Sequence, residues 1–518
     1  MTGSILQLVA YGIEDIFLTN DPQITYFKVV YKRHTNFSRE EIRQNFIQRP
    51  DFDTQISATI SKNGDLMEKT YLVINLPAIP EFNDNISKVA WVRYPGYSLI
   101  NTISIEINGR QICKHYGEWM MLWNEMFNIN SQEASFKKMI GDIPDLTDFT
   151  NGKPTYRIYI PLQFWFCRSS ANALPLVSLQ YSDIKINLSL KPWNECLIIS
   201  PSHYIICNDD VVAFANNEYI QQNVDANIIN GIFRYFDIYS KKLYYTLLSP
   251  TNFLSIPPNP STNTKYRITG MTTKFYATPA TQNTNSIIIN PASYRNNKIK
   301  TLTLGDTYLL VNYIFIDEDE RLQFAQSKQD YIIEQLYYTE YNQVLGPSET
   351  IRIDINNPCA FIIWVLQQKY INDSLDYYNY TNTCRHKIPE DIDVTSSIYK
   401  VGDPVPQFDN GLSVTETILF NHKERLSFRD SKYFKINQIY EKCNNSPPYG
   451  THAYFFTQNA TALQHSGTCN MSKIETIEIK MKVNSILSTN NLGLFRAYAE
   501  TYNILRISYG LGAVIFDT

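Results

Sequence analysis

Hydrophobic and polar residues in this chain alternate, over many short runs, with a period of two, the spacing of strands that have one wet and one dry face. Ile56-Ser57-Ala58-Thr59-Ile60 shows it, as do Ile103 to Ile107 and Asp183 to Leu190. Tyr156 to Leu162 and Ile474 to Met481 read the same way, the latter with Ile477, Ile479 and Met481 on one face. Asn63-Gly64 and Asn108-Gly109 are residue pairs that favour tight two-residue hairpins, so a hairpin is expected at each. Helices are read in an amphipathic piece from Ile5 to Leu18, ended by Asp21-Pro22, and in a Met- and Trp-rich run from His115 to Phe127. Ile24 to Tyr31 predicts a further strand. The basic group Lys32, Arg33 and His34 after it reads as a solvated strand end.

The stretch from Tyr308 to Tyr341 is the joint of the chain. Tyr308 to Ile316 is a strongly apolar strand, too short to cross a membrane as a helix. Asp317-Glu318-Asp319-Glu320 then places four acids at the head of a helix-forming run, where they suit the positive end of a helix dipole. Tyr331 to Tyr338 returns to aromatic and β-branched residues. The reading is strand, short helix, strand: one β unit closes and a second begins.

Residues from about 193 to 305 are rich in Asn, Thr, Ser and Pro, with short strand candidates near Tyr266–Tyr276 and Ile287–Ile289. They predict a long insertion with a small β content of its own, since a structureless connection of that length is improbable in a compact domain. The second half repeats the first in order. Thr417 to Arg425 echoes the hairpin at Asn108, Ile474 to Met481 echoes Asp183 to Leu190, and Tyr502 to Ile507 echoes Tyr313 to Ile316. The spacing between echoes is longer in the first half by about the size of the insertion, so two similar β units, each with its own core, are expected.

Composition narrows the functional classes. With 518 residues, 37 tyrosines, 27 phenylalanines and only 19% charged residues, the chain suits an all-β protein with two or more cores. A net charge of −4 gives no global case for binding nucleic acid. The eight cysteines form no C-x-x-C pair and read as reduced thiols. The first residues lack a basic stretch and cleavage site, which argues against secretion, so Asn-x-Ser/Thr triplets such as that at Asn444 are expected to be chance. The seven histidines show no metal-ligand spacing, and no nucleophile elbow, P-loop or dinucleotide fingerprint is present. His115 and Glu118, three residues apart on a helix, are an acid/base candidate, with a plain polar contact the preferred reading. Catalytic, cofactor and metal residues are therefore expected to be none.

Several stretches resemble the major capsid proteins of the nucleocytoplasmic large DNA viruses. Leu8 to Gly12 with Leu18-Thr19, Pro22 to Thr25 and Thr35-Asn36-Phe37 is similar to that family's opening. So are Ile105 to Gly109 with His115-Tyr116, Leu174-Pro175-Leu176 through Gln180-Tyr181, and Arg321, Phe324 to Gln326 and Glu334 to Leu336. Ser466 to Asn470 with Ser472, and Tyr502-Asn503 with Leu505 to Ile507, complete the series; His465 and the insertion depart from it. The resemblance implies two consecutive eight-stranded antiparallel jelly rolls, a double jelly roll with short helices and a long insertion in the first. The expected division is an N-terminal arm of residues 1–25, a first jelly roll of 26–327 and a second of 328–518. It implies a homotrimer with a pseudo-hexagonal outline that tiles an icosahedral shell beside neighbouring capsomers, is made in host cytoplasm and resides in the virion. Minor capsid proteins, and an internal membrane met through the arm, are implied partners; direct nucleic-acid binding is not. A minor capsid or vertex protein of the same fold, and a carbohydrate-binding β-sandwich suggested by the abundant Tyr, Trp and Asn, remain the alternatives.

Overall fold

The computed structural model describes residues 33–516 apart from 83–87, 129–132, 210–211, 216–217, 225–226, 250, 258–262, 282–286, 289–301, 374, 382–410, 486 and 488–491, with scattered positions before 33. Cys384, Lys32 and nearly all of the expected strand at 24–31 lie outside the described residues.

The first sandwich contains β1 (Phe37–Gln44), β2 (Gln55–Thr59), β3 (Leu66–Leu76), β4 (Ile100–Ile107), β5 (Arg110–Tyr116), β6 (Tyr156–Pro161), β7 (Ile184–Leu190) and β8 (Thr307–Ile316). They form two facing antiparallel sheets, in the orders β1-β8-β3-β6 and β2-β7-β4-β5. The second contains β9 (Gln329–Val344), β10 (Ser348–Arg352), β11 (Pro358–Gln368), β12 (Ser413–Phe420), β13 (Lys423–Glu424), β14 (Thr451–Phe455), β15 (Ile477–Val483) and β16 (Gly493–Ser508). Its sheets run β9-β16-β11-β14 and β10-β15-β12-β13, so each strand of the first sandwich has its counterpart in the second. Both are jelly rolls, and the fold is the expected all-β double jelly roll.

The echoes fall on equivalent elements. Asn108-Gly109 turns β4 into β5 with positive φ at both residues, and Asn421-His422 turns β12 into β13 in the same way. β7 matches β15 and β8 matches β16. The joint has the expected form: β8, then helix α2 (Glu318–Gln326), then β9. Asp317 caps α2 by accepting a hydrogen bond from the Glu318 amide, and three further acids occupy its first turn.

Three expectations change. Asn63-Gly64 is not a hairpin: β2 pairs with β7 while β3 pairs with β8 and β6, so the turn carries the chain from one sheet to the other. Glycine is required there for space, because a Cβ would stand 2.8 Å from the Tyr313 Cβ.

The insertion is more than a loop with a little β content. Strands at 203–206, 219–224, 227–237, 242–247, 268–270, 276–277 and 287–288 build a seven-stranded sheet. Ile205, Ile220, Phe233, Leu243, Tyr245 and Phe253 form its own core. On Tyr219–Val224 the wetter face carries Gln221 and Asn223, which read as loop composition, while Gln222 on the dry face is buried and donates to the Leu254 and Tyr266 carbonyls.

The two cores are also not fully separate. The second sandwich has its own, but the core of the first continues across the face between them to Phe361, Ile363, Val365, Phe455 and Tyr498. The sheet containing β11 is consequently covered on both sides, which accounts for its unbroken apolar sequence from Ala360 to Leu366. Ile362, Trp364 and Leu366 point into the second core and Phe361, Ile363 and Val365 into the shared face.

Candidate functional site

The shared face is organised by helix α1 (Gly117–Phe127). The chain turns from β5 into α1 at Gly117, where any Cβ would come within 2.1 Å of the Tyr97 carbonyl oxygen. Trp119, Met120, Met121 and Leu122 are all buried, as a helix enclosed between two layers requires. Trp119 stacks on Phe361 at 6.1 Å and meets Tyr498 at 5.8 Å, while Tyr116 packs on Tyr338 at 4.2 Å.

Both ends of α1 are completed by the opposite sandwich. At the C-terminal end, Asn444 and Asn445 donate from their backbones to the Met126 carbonyl and from their side chains to the Phe127 and Asn128 carbonyls. These satisfy carbonyls a helix end leaves without partners. Asn444, one of the Asn-x-Ser triplets, is thus engaged in packing.

At the N-terminal end, the Glu118 carboxylate accepts from Arg496 Nη2 and from the Tyr380 hydroxyl, each at 2.8 Å, and from the Tyr498 hydroxyl at 2.5 Å. Arg496 Nε lies 2.7 Å from the same carboxylate. Despite the burial that opposes it, the Arg496 charge is held more firmly than usual by Glu118 and the surrounding tyrosines. A second pair crosses the face nearby: Arg168 donates twice to Glu500, at 2.9 and 2.7 Å. Glu334, half-buried beside it, has its carboxyl pushed above the usual range by loss of water, with Arg168 opposing the shift.

A cleft of about 210 Å³ opens here, lined in part by Glu118, Lys191, Tyr338, Glu340, Tyr377 and Arg496. That is below the roughly 300–1,000 Å³ of small-molecule sites. Its central carboxylate is already held by three side chains from the other sandwich. This is the chemistry of a weld between two layers.

The sequence candidates are otherwise dispersed. His115 lies in β5, not on the helix; it stacks on Phe164 at 4.8 Å and its Nε2 is 3.2 Å from Cys113 Sγ. Burial, with the Arg168 charge, pushes its pKa down to about 3. It does not partner Glu118. The acids of α2 are exposed or half-buried, and Arg321 at its centre pairs with Asp65 at 2.8 Å. His34 is exposed, and His465 packs on Tyr502 at 4.2 Å.

One constellation has no local sequence signal, because its histidine comes from β14 while its serine and acid come from β12, 39 positions earlier for Ser413. In the second core, His452 Nε2 faces both Ser413 Oγ and Glu416 Oε1 at 3.1 Å. Its Nδ1 faces the Trp364 carbonyl, so serine and acid share one ring nitrogen instead of flanking the ring as a hydrolytic relay needs. Burial raises the Glu416 pKa to about 7, partly opposed by Lys435, and holds His452 well below its ordinary value. Among the described residues no group of three or more His, Cys, Asp or Glu could hold a metal, and no helix is long and apolar enough to cross a membrane.

Two jelly rolls welded across a buried face define a double jelly-roll protein, and comparison with known proteins gives the family. The N-terminal domain model of major capsid proteins matches residues 25–237, and the model of the large eukaryotic DNA virus major capsid protein matches 320–513. Probable capsid protein 4 of Acanthamoeba polyphaga mimivirus is 39% identical over the whole of both chains. The major capsid proteins of Phaeocystis pouchetii virus and Paramecium bursaria Chlorella virus 1 are 29% and 27% identical, also over full length. Among solved structures, a chain of the PBCV-1 virus capsid has a TM-score of 0.62 at 21% identity, covering 95% of this chain and 100% of that one. The Faustovirus major capsid protein gives 0.62 at 13% identity, covering 96% and 94%. The chain belongs to the major capsid protein family of the large eukaryotic DNA viruses.

Proposed function

We propose that three copies of this chain close into a pseudo-hexagonal capsomer that tiles an icosahedral shell. The observation that carries the reading is the strand-for-strand match of the two sandwiches. Three copies then offer six similar units around one axis. β1 and β10 are edge strands, and Ile332 and Tyr341 on β9 leave 45% and 42% of their surface exposed. A closed three-fold arrangement supplies a way to cover such edges and apolar points.

In this reading residues 1–25 form an arm, 26–327 the first roll with its insertion and 328–518 the second. The arm faces inward, toward minor capsid proteins and an internal membrane, and assembly takes place in host cytoplasm. The protein acts through shape and contact, without catalysis or direct nucleic-acid binding. The test is the mass of the purified protein in solution. Three times the subunit mass of 60.1 kDa is expected, and a stable monomer at assembly concentrations overturns the proposal. Copy number in virions distinguishes the main shell subunit from a vertex component.

A further inference from the structure

Two cysteines far apart in sequence stand opposite each other in the second sandwich. Cys359 lies at the start of β11, and Cys469 begins the short strand Cys469–Asn470. Their antiparallel register pairs Cys359 with Cys469 and Pro358 with Asn470. Directly opposed residues in such a ladder have Cα atoms roughly 4.5–5.5 Å apart and side chains on one face. That falls within the roughly 4.4–6.8 Å span of a disulfide.

Both side chains pack on the core of the second sandwich, so they point to the same side of the sheet. Both are free thiols, Cys359 buried and Cys469 half-buried, so one of the two can be reached from solvent. The register is pinned next door: the Met471 amide donates to the Asn357 carbonyl, and the Asn357 amide to Ser472 Oγ at 2.9 Å. Among the described residues no other two cysteines are strand partners.

We propose that Cys359 and Cys469 form a redox latch, reduced when the chain folds among thiols and joined as a disulfide when it meets a small-molecule disulfide. The Cys469 thiolate attacks one sulfur of the donor, forming a mixed disulfide and releasing a donor thiolate. Cys359 gives its proton to water, attacks the Cys469 sulfur and expels the second donor thiolate. The protein loses two electrons and two protons, and the donor leaves as two thiols. Burial holds the Cys359 thiol well above its ordinary pKa, so the second step is slow. The bond ties β11 to the connection between β14 and β15 and closes that side of the sandwich.

The test is carried out on the purified full chain, incubated with oxidised glutathione, then unfolded, alkylated and mapped without reduction. A peptide linking Cys359 to Cys469 is expected. The melting temperature should rise by several degrees, a rise reversed by dithiothreitol. In Cys469→Ser the link and the rise should both disappear. Two free, alkylated cysteines, a lasting glutathione adduct on Cys469, or a bond from either cysteine to another partner overturns the proposal. The wild-type peptide map decides the matter even where the variant folds poorly.

Discussion

Glu118 on the first sandwich and Arg496 on the second meet with Nε 2.7 Å from the carboxylate, and both side chains are nearly withdrawn from water. A buried ion pair of this kind returns much of its Coulomb energy to desolvation, yet stranding either partner is expensive. Arg496→Met should therefore destabilise the chain by about 3–5 kcal/mol in chemical unfolding. The double variant with Glu118→Leu should recover a substantial part of that loss. If the double variant is as weak as the sum of the two single ones, the pair is not acting as a unit.

The two β-turns allow a cleaner measurement. Gly109 has φ +75° and a Cβ there would touch nothing within 4 Å, so substitution changes backbone conformation without causing a clash. Gly109→Val should cost about 1–2 kcal/mol, the left-handed penalty for a residue with a Cβ, increased by β-branching. Gly109→Asn should cost much less, as Asn tolerates that region. Asn421 already does so at φ 49°. Thermal melting of the two variants side by side tests the ranking.

Much of this architecture was legible because half-buried strands write their burial directly into alternation. β7 and β15 alternate as read, β4 buries Ile103, Ile105 and Ile107 together with Ser104 between them, and Asn108-Gly109 is placed because local geometry alone fixes a two-residue turn. β1 is silent in the sequence: Phe37–Gln44 is a charged edge strand exposed over most of its length, so it carries no alternating signal. Asn63-Gly64 misled because a turn signal does not say which partners its flanking strands choose. The weld was out of reach. Glu118 and Arg496 are 378 positions apart and only the docking of two sandwiches brings them together. The cluster of Ser413, Glu416 and His452 was hidden for a different reason: it forms inside the second sandwich, where folding brings β14 against the end of β12.

Stability should depend on pH through the buried titrating groups. His115 is held at about 3 in the folded chain against 6.5 when free, so between those values the unfolded chain binds the extra proton. Stability is therefore lost as pH falls from 6.5 toward 3, at up to about 1.4 kcal/mol per pH unit for this residue. Glu416 acts in the opposite sense. Raised to about 7 from 4.5, it binds its proton more readily when folded and adds stability as pH falls across that interval. Melting temperatures measured against pH should accordingly fall less steeply on acidification in His115→Gln than in the wild type, and more steeply in Glu416→Gln. Unchanged slopes would show that neither group is buried as described.

The orientation of the subunit in a shell can be tested with a protease. The insertion leaves the first sandwich after Leu190 and returns at Thr307, at one end of β7 and β8. α2 follows Ile316, at the other end of β8, and Phe37 pairs with Ile316 there. The insertion and the entry of the N-terminal arm thus lie at opposite ends. If the arm faces inward, exposed Lys265 and Lys274 of the insertion face outward and exposed Lys328 just after α2 faces inward. Brief trypsin treatment of intact particles should cut after Lys265 or Lys274 and spare Lys328, which should become cleavable only once the particles are disrupted. Cleavage in intact particles at Lys328 with the insertion spared would reverse the assignment of inner and outer ends.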